Sequence, residues 1–465
     1  MTSKIQQNPG SYRDPDGFVF TRDEILYRHV AASAREDFEH LISSGLYEEL
    51  ASEGLLVPHE EEPEPERLSP GAWKVLRPRP VAFLSWPYEW SFSQLRAAAL
   101  LTLDIARRAL AKGMVLKDAS AYNIQFVGSA PVFIDTLSFT RWEENTPWAG
   151  YRQFCEHFLA PLALAARRHP ALLRLQRSYT DGVPLEVAGR TLPFSTRLQP
   201  GLLSHIHLHA RFQNRHADTA EAPPRKQTTL SRRGLEGILD NLQAVTRKLE
   251  IRERGSHWAG YYAKTNYSSA AFDEKKRLVR EYLAETAPEL VWDMGANTGV
   301  FSEIASEIAP VVVAIEADEA ASDAHFRERV AARNSRVLPL VMDLANPSPD
   351  LGWNQSERPG LRARGPADCV LALALAHHLA IGANLPLGHI AAAFKEWGRS
   401  LIIEFVPKSD SQTQRLLASR EDIFPDYDEE HFRATFAQYF EIIASEKLTD
   451  SERTLYFMRR KEAEA

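Results

Sequence analysis

Val291-Trp292-Asp293-Met294-Gly295-Ala296-Asn297-Thr298-Gly299-Val300-Phe301 decides how this chain is read. Residues 290–293 are an apolar run ending in an acid, and a helical pattern opens after Gly299, so the stretch reads as strand, glycine turn, helix. Glycines allow positive φ and let the backbone approach a ligand closely. The free N–H groups of the first helical turn face a negative group. In dinucleotide enzymes that group is a pyrophosphate. Asp293, immediately before the glycines, repels a pyrophosphate and suits an ammonium instead. Asn297 stands where a glycine is commoner, and Asn tolerates unusual φ/ψ.

Working outward, apolar runs recur at 311–316, 337–342, 369–375 and 401–405, with helical stretches between several of them, and two β-like runs follow at 441–447 and 454–459. Such alternation predicts an α/β fold with a parallel sheet covered by helices on both faces. The ends of these runs carry chemistry. Glu316 closes the second, where an acid accepts both hydroxyls of a ribose. Asp343 closes the third and suits an adenine amino group. The fourth leads into Ala376-His377-His378-Leu379, and the fifth ends at Glu404, either a solvated strand end or a member of the site. His377 and His378 read equally as a general base and as a packed pair of histidines.

In this order the series resembles the class I S-adenosylmethionine-dependent methyltransferases. The resemblance implies a Rossmann-like, seven-stranded, mostly parallel sheet whose last strand is antiparallel, with S-adenosylmethionine as cofactor. It places Asp293, Gly295, Asn297 and Gly299 in the cofactor's glycine loop, Glu316 at the ribose and Asp343 at the adenine. His377 and His378 fall where relatives present residues to methyl donor and acceptor. Methyl transfer is an in-line displacement that needs orientation and, for some acceptors, removal of a proton. It needs no metal, and no Cys/His spacing matches a zinc site. The aromatic segment 257–267 reads as a lid, a wall of the acceptor pocket or ordinary helix packing.

The other half centres on Leu116-Lys117-Asp118-Ala119-Ser120-Ala121-Tyr122-Asn123-Ile124, followed by Ile134-Asp135-Thr136. A long helix is predicted before it at 92–112, capped by Ser91 or Ser93 and stopped by Gly113, and a hairpin at 124–126 and 132–134 lies inside it. Helix, Asp, Asn, hairpin, Asp is the order in protein kinases and aminoglycoside-phosphotransferase-like enzymes. There the first Asp takes the substrate proton, and the Asn and second Asp hold Mg²⁺. The resemblance makes Asp118, Asn123 and Asp135 a vestigial nucleotide site. No glycine-rich phosphate loop precedes them, Lys74 is a poorly placed candidate for the strand lysine, and Lys117 replaces the usual Arg. The other reading is a helix and hairpin whose polar residues cap turns. An exposed acidic loop is expected at 59–66 and a strand at 81–86. His205, His207 and His209 would share one face of a strand, as metal ligands do, but no acid or cysteine is near them.

Taken whole, the chain also resembles bacterial nodulation-protein-type methyltransferases, through the Leu116–Ile124 stretch, Trp86-Pro87-Tyr88-Glu89-Trp90 and Ser419-Arg420-Glu421-Asp422-Ile423-Phe424-Pro425. The expected layout is an α+β, degenerate kinase-like domain over 1–212, a linker over 213–235 and a methyltransferase domain over 236–465. At 44% hydrophobic and 25% charged residues, both halves can bury a core. The net charge of −7 gives no global basic footprint, which disfavours nucleic acid as partner. Two cysteines, Cys155 and Cys369, are too few for a disulfide scaffold. With no signal peptide and no apolar run long enough to span a membrane, the expected location is the cytoplasm. The expected acceptor is a small molecule or a glycan, with the N-terminal half recognising it or docking a protein partner. The alternatives are a bifunctional methyltransferase–kinase and a regulatory binding module.

Overall fold

The computed structural model describes residues 5–211, 230–251, 268–418 and 421–462. They fall into two units, Met1–Glu253 with Leu351–Arg358, and Arg254–Asp350 with Pro359–Ala465.

The first unit begins with an antiparallel sheet of five strands: β1 (Gln6–Gln7), β2 (Gly17–Arg22), β3 (Ile25–Val30), β4 (His59–Glu61) and β5 (Lys74–Pro78), in the order β1-β2-β3-β5-β4. Alternate residues face opposite sides, as the strand period requires. Phe20, Tyr27 and Val75 pack on one side, while Val30 and Leu76 meet Phe38, Ala34 and Leu137 on the other. The loop expected at 59–66 is therefore partly the edge strand β4. Its acids pair across the ladder, Glu60 with Arg77 and Glu61 with Lys74, so a charged sequence suits an edge. The strand expected at 81–86 does not form. The side-chain amide of Gln125 takes the place of a neighbouring strand there, accepting from Ser85 N at 2.9 Å and donating to Ser85 O at 3.0 Å.

The helix Phe92–Ala111 has Ser91 as its N-cap, with Gln94 returning the bond, and Gly113 follows it at φ +76°. Next, β6 (Met114–Leu116), β7 (Ile124–Val127), β8 (Ala130–Phe133) and β9 (Phe139–Arg141) form two small antiparallel pairs, β6 with β9 and β7 with β8. Asp118 and Asn123 lie between β6 and β7, and Asp135 between β8 and β9. His205 and His207 lie on a π-helical turn, Leu203–Leu208, not on a strand. Their rings part accordingly. His205 bonds Tyr151 Oη at 2.7 Å and Asn241 Oδ1 at 2.8 Å, and His207 bonds Thr196 Oγ1 at 2.8 Å.

Most of the expected linker lies outside the described residues. Its described end caps the helix Arg232–Lys248, which packs on Phe92–Ala111, with Arg96 Nη1 donating to Leu249 O at 3.1 Å. That helix belongs to the first unit, so the boundary falls after it and not at 235. Leu351–Arg358 completes the same unit. The Glu357 carboxylate, 4% exposed, accepts from Tyr12 Oη at 2.5 Å, Arg13 Nη2 at 2.9 Å and Trp353 N at 3.0 Å. The Arg358 guanidinium stands 4.0 Å from the centre of the Tyr122 ring.

The second unit is a mixed sheet of seven strands: β10 (Leu290–Met294), β11 (Val311–Glu316), β12 (Val337–Val341), β13 (Ala367–Ala372), β14 (Gly398–Phe405), β15 (Phe440–Lys447) and β16 (Thr454–Arg460). Their order is β12-β11-β10-β13-β14-β16-β15. The first five strands run parallel, and β16 is antiparallel to both β14 and β15, as the resemblance implies. β10, β12 and β13 are apolar and buried along nearly their whole length, as in a sheet covered on both faces. The order reverses between β10 and β13. At such a switch point a crevice opens beyond the carboxyl ends of the strands. No described helix is long and apolar enough to cross a membrane.

Candidate functional site

A cavity of about 490 Å³ occupies that crevice. Asp293, Glu316 and Asp343 reach it from the carboxyl ends of β10, β11 and β12, with the backbone of Gly295 and Asn297 beneath and His378 along one wall. Six residues singled out in the sequence thus line one space.

The glycine loop earns its shape residue by residue. Gly295 has φ +79°, Asn297 φ +51° and Gly299 φ +87°, all in the left-handed region. The helix Val300–Ile308 starts directly after Gly299. Gly299 does not line the cavity. A Cβ there would lie 2.0 Å from the His325 ring, so its role is to let the helix Glu319–Ala332 come close. Glu316 locks the loop to the end of β11, accepting from Asn297 N at 2.8 Å through Oε2 and from Asp318 N at 2.8 Å through Oε1. Burial holds its carboxyl above the usual range in spite of those bonds. Burial likewise pushes Asp293 up to about 6, with the Glu316 charge adding and the hydrogen bond from Ser302 Oγ, 2.6 Å, opposing. Asp343 is exposed and accepts from Ala345 N at 2.9 Å, which turns the chain at the rim.

The two histidines part company. His378 borders the cavity, and burial followed by the Arg453 charge lowers it to about 4, so it is a neutral acceptor at ordinary pH. His377 is fully enclosed, 4.2 Å from the His378 ring by centroids, and neither of its ring nitrogens meets a hydrogen-bond partner among the described residues. Geometry therefore leaves His378 as the one of the pair that can reach a ligand. The aromatic segment 257–267 lies outside the described residues.

Sequence reading missed a buried charge chain beside the cavity. Lys275 Nζ sits 2.7 Å from Glu404 Oε2, Arg453 Nη1 is 3.7 Å from Glu404 Oε1, and Arg453 Nε is 2.8 Å from Asp410 Oδ2. Lys275, Glu404 and Arg453 have side-chain exposures of 3%, 0% and 2%, so these are interior ions. A signal was present. Lys275 falls on the apolar stripe of its helix, Ser269–Thr286, in step with buried Ala271, Leu278, Val279 and Tyr282.

In the first unit, Asp118, Asn123 and Asp135 do come together. Asn123 Nδ2 donates to Ser138 Oγ at 3.2 Å, and that hydroxyl donates to Asp135 Oδ2 at 2.5 Å. Asp118 Oδ1 accepts from Ser120 N at 2.8 Å. Arg28 of β3, not singled out in the sequence, places Nη2 2.5 Å from Asp135 Oδ1. Burial alone would raise the Asp135 carboxyl, but the Arg28 guanidinium and the Ser138 bond hold it below the usual range.

No protein-family model matches the chain. It is 36% identical over 459 residues to the nodulation protein NoeA of Rhizobium meliloti (strain 1021), covering 97% of this chain and 96% of that protein. Among solved structures, the N-methyltransferase NodS from Bradyrhizobium japonicum WM9 matches 42% of this chain and 99% of its own, at 10% identity and a TM-score of 0.31. The magnesium protoporphyrin IX methyltransferase ChlM from Synechocystis PCC 6803, solved with bound SAM, matches 45% of this chain and 87% of its own, at 16% identity and a TM-score of 0.29.

Proposed function

We propose, from the premise that this chain belongs to the family of the nodulation protein NoeA, that its second unit is an S-adenosylmethionine-dependent methyltransferase. The observation that carries the reading is the cavity at the switch point, where three adjacent parallel strands each deliver an acid beside a left-handed glycine loop. The donor set fits this cofactor. Glu316 accepts from Asn297 N and Asp318 N at the end of β11, and a carboxylate there suits the ribose hydroxyls. Asp343 at the exposed rim suits the adenine amino group, and the buried Asp293 suits the ammonium of the methionine end. When bound, S-adenosylmethionine supplies an activated methyl on a sulfonium. The protein orients the two reactants, and His378, neutral and at the wall, accepts a proton from an acceptor hydroxyl or amine. The acceptor class is a small molecule or a glycan, with the first unit recognising it or docking a protein partner.

The test is calorimetric titration with S-adenosylmethionine, coupled to a screen for labelled-methyl product in host lysate. Glu316→Ala removes the ribose acceptor and is expected to weaken binding by ~1.5–3 kcal/mol, the range for hydrogen bonds to a charged group. A folded variant with native affinity would mean that Glu316 holds the loop and not the ligand.

For the first unit we favour a kinase-like fold that has lost phosphotransfer. The Arg28–Asp135 ion pair supports it, because a guanidinium stands on the carboxylate that would hold Mg²⁺. Without a glycine loop either, triphosphate charge is poorly compensated. The purified chain is expected to show no Mg²⁺-dependent ATP hydrolysis or phosphoryl transfer. Activity that disappears in Asp118→Ala and Asp135→Ala would instead establish the bifunctional methyltransferase–kinase.

A further inference from the structure

We propose that the turn Phe194–Leu198 and the arginines around it form a docking surface for an anionic lipid bilayer, with Phe194 and Leu198 entering the interface and the guanidiniums meeting lipid phosphates. The proposal concerns the first unit alone and does not depend on the cofactor reading above.

Exposure is the first argument. Leu198 is 77% exposed and Phe194 70%, and Leu208, at 37%, is the next most exposed leucine or phenylalanine among the described residues. All three belong to one patch. Thr196, fully buried, pins the turn from within: its Oγ1 donates to Pro193 O at 2.6 Å and so accepts from His207 Nε2 at 2.8 Å, and Leu208 follows His207. Pro193 and Pro200 bracket the turn, and Leu192 and Leu202, just outside it, are buried. The fold thus turns a polar residue inward and apolar ones outward, the reverse of the usual arrangement. Apolar tips held out by a fixed backbone gain from any phase that takes them out of water.

Charge is the second argument, and it selects the occupant. The whole chain carries −7, but residues 167–211 hold seven arginines and two acids. Both acids are paired, Asp181 with Arg13 and Glu186 with Arg190. Other arginines surround the turn. The Arg197 guanidinium stands 5.4 Å from the centre of the Phe194 ring. Arg168 Nε donates to Thr191 O at 2.7 Å, and Arg167 Nη2 donates to Gln199 Oε1 at 3.4 Å, so the two meet the chain just before and just after the turn. Burial, followed by the charges of Arg197 and Arg211, lowers the His207 imidazole, which places both guanidiniums near one ring. A guanidinium matches phosphate oxygens in pairs, and each basic side chain near an anionic bilayer strengthens adsorption. Residues 212–229, which follow Arg211, carry three basic and two acidic residues and so supply no complementary charge. A folded protein partner needs roughly 800 Å² of matched surface on each side. Protruding apolar tips ringed by arginine suit instead the headgroup boundary of a bilayer, where the tips sink and the cations stay with the phosphates. No described helix is long and apolar enough to span a membrane, so the contact proposed is adsorption to its surface.

The experiment is co-sedimentation of the full chain with vesicles of phosphatidylcholine, alone or mixed with phosphatidylglycerol. The native chain is expected to bind the mixed vesicles, to ignore the neutral ones and to be released by salt. Phe194→Ser combined with Leu198→Ser should weaken binding ~10- to 100-fold, because two apolar side chains lose their burial in lipid. Arg197→Gln should weaken it roughly 5-fold, and Arg197→Gln combined with Arg211→Gln about 25-fold. All four side chains are exposed, so the variants should melt like the native chain by circular dichroism. Leu198→Cys carrying an environment-sensitive dye should brighten on the mixed vesicles, and Cys155 and Cys369 are buried, which directs the dye to position 198. A native chain that ignores the mixed vesicles overturns the proposal, and if it then retains acidic proteins that the double serine variant does not, the patch serves a protein. A folded double serine variant that binds as well as the native chain, or a dye that stays dim while the chain binds, overturns it too. So does a native dimer, seen by sedimentation velocity without lipid, that the same two serines split, since the patch then joins two copies of this chain.

Discussion

A Gly295→Arg chain is expected to fold and to bind S-adenosylmethionine more than ~100-fold more weakly than the native protein, a loss of over ~2.7 kcal/mol. Gly295 has φ +79°, so any Cβ there is strained by roughly 1–2 kcal/mol, which a domain of this size tolerates. The Cβ would stand 3.3 Å from Leu375 Cδ1, a contact that a leucine terminus relieves by a small shift. The remaining arginine side chain has the cavity to enter, because Gly295 lines it. The space for the ligand is lost while the core beneath is kept. Calorimetry for binding and a circular-dichroism melt for folding check the two halves of the expectation. A folded variant that binds normally would show that the cofactor lies elsewhere.

Glu404→Ala is expected to destabilise the second unit by ~3–5 kcal/mol, the cost of breaking a buried pair from one side. The substitution leaves Lys275 and Arg453 as neighbouring interior cations without the carboxylate that joins them. In denaturant the midpoint should fall with little change in slope. The double variant Glu404→Leu with Lys275→Met removes charge from both sides and should recover much of the loss, since an apolar pair of similar volume is often as stable. A single variant costing less than about 1 kcal/mol would mean that water reaches this cluster freely.

The second unit was legible because its chemistry is written locally. Asp293, Gly295 and Asn297 lie within one turn, and Glu316 and Asp343 each close an apolar run, so strand ends and cavity-lining residues are the same letters. What escaped was non-local. Lys275 meets Glu404 across 129 positions, and Arg28 reaches Asp135 from a strand before any recognisable motif. Neither pair leaves a spacing to count. Local appearance misled in three places. The acidic run at 59–61 became an edge strand because its charges find partners on β5. The apolar run at 81–86 stayed irregular, and within it the Gln125 side chain, not a strand, pairs the backbone of Ser85. The alternating histidines fell on a helix, where two positions apart means nearly opposite faces. His377 and His378 look alike in sequence, and only packing separates the enclosed ring from the one at the wall.

Leu351–Arg358 carries a consequence for how the chain comes into being. These eight residues belong to the first unit, yet they are encoded after β10, β11 and β12 of the second. During synthesis Tyr12, Arg13 and Tyr122 emerge long before Glu357 and Arg358, the side chains they receive. Domains that are contiguous in sequence can mature one after another as they leave the ribosome. Here the earlier half stays incomplete until three strands of the later half have been made. A fragment ending at residue 253 ends before its own last piece, and a gene fusion or exchange cut at that point divides one folding unit in two.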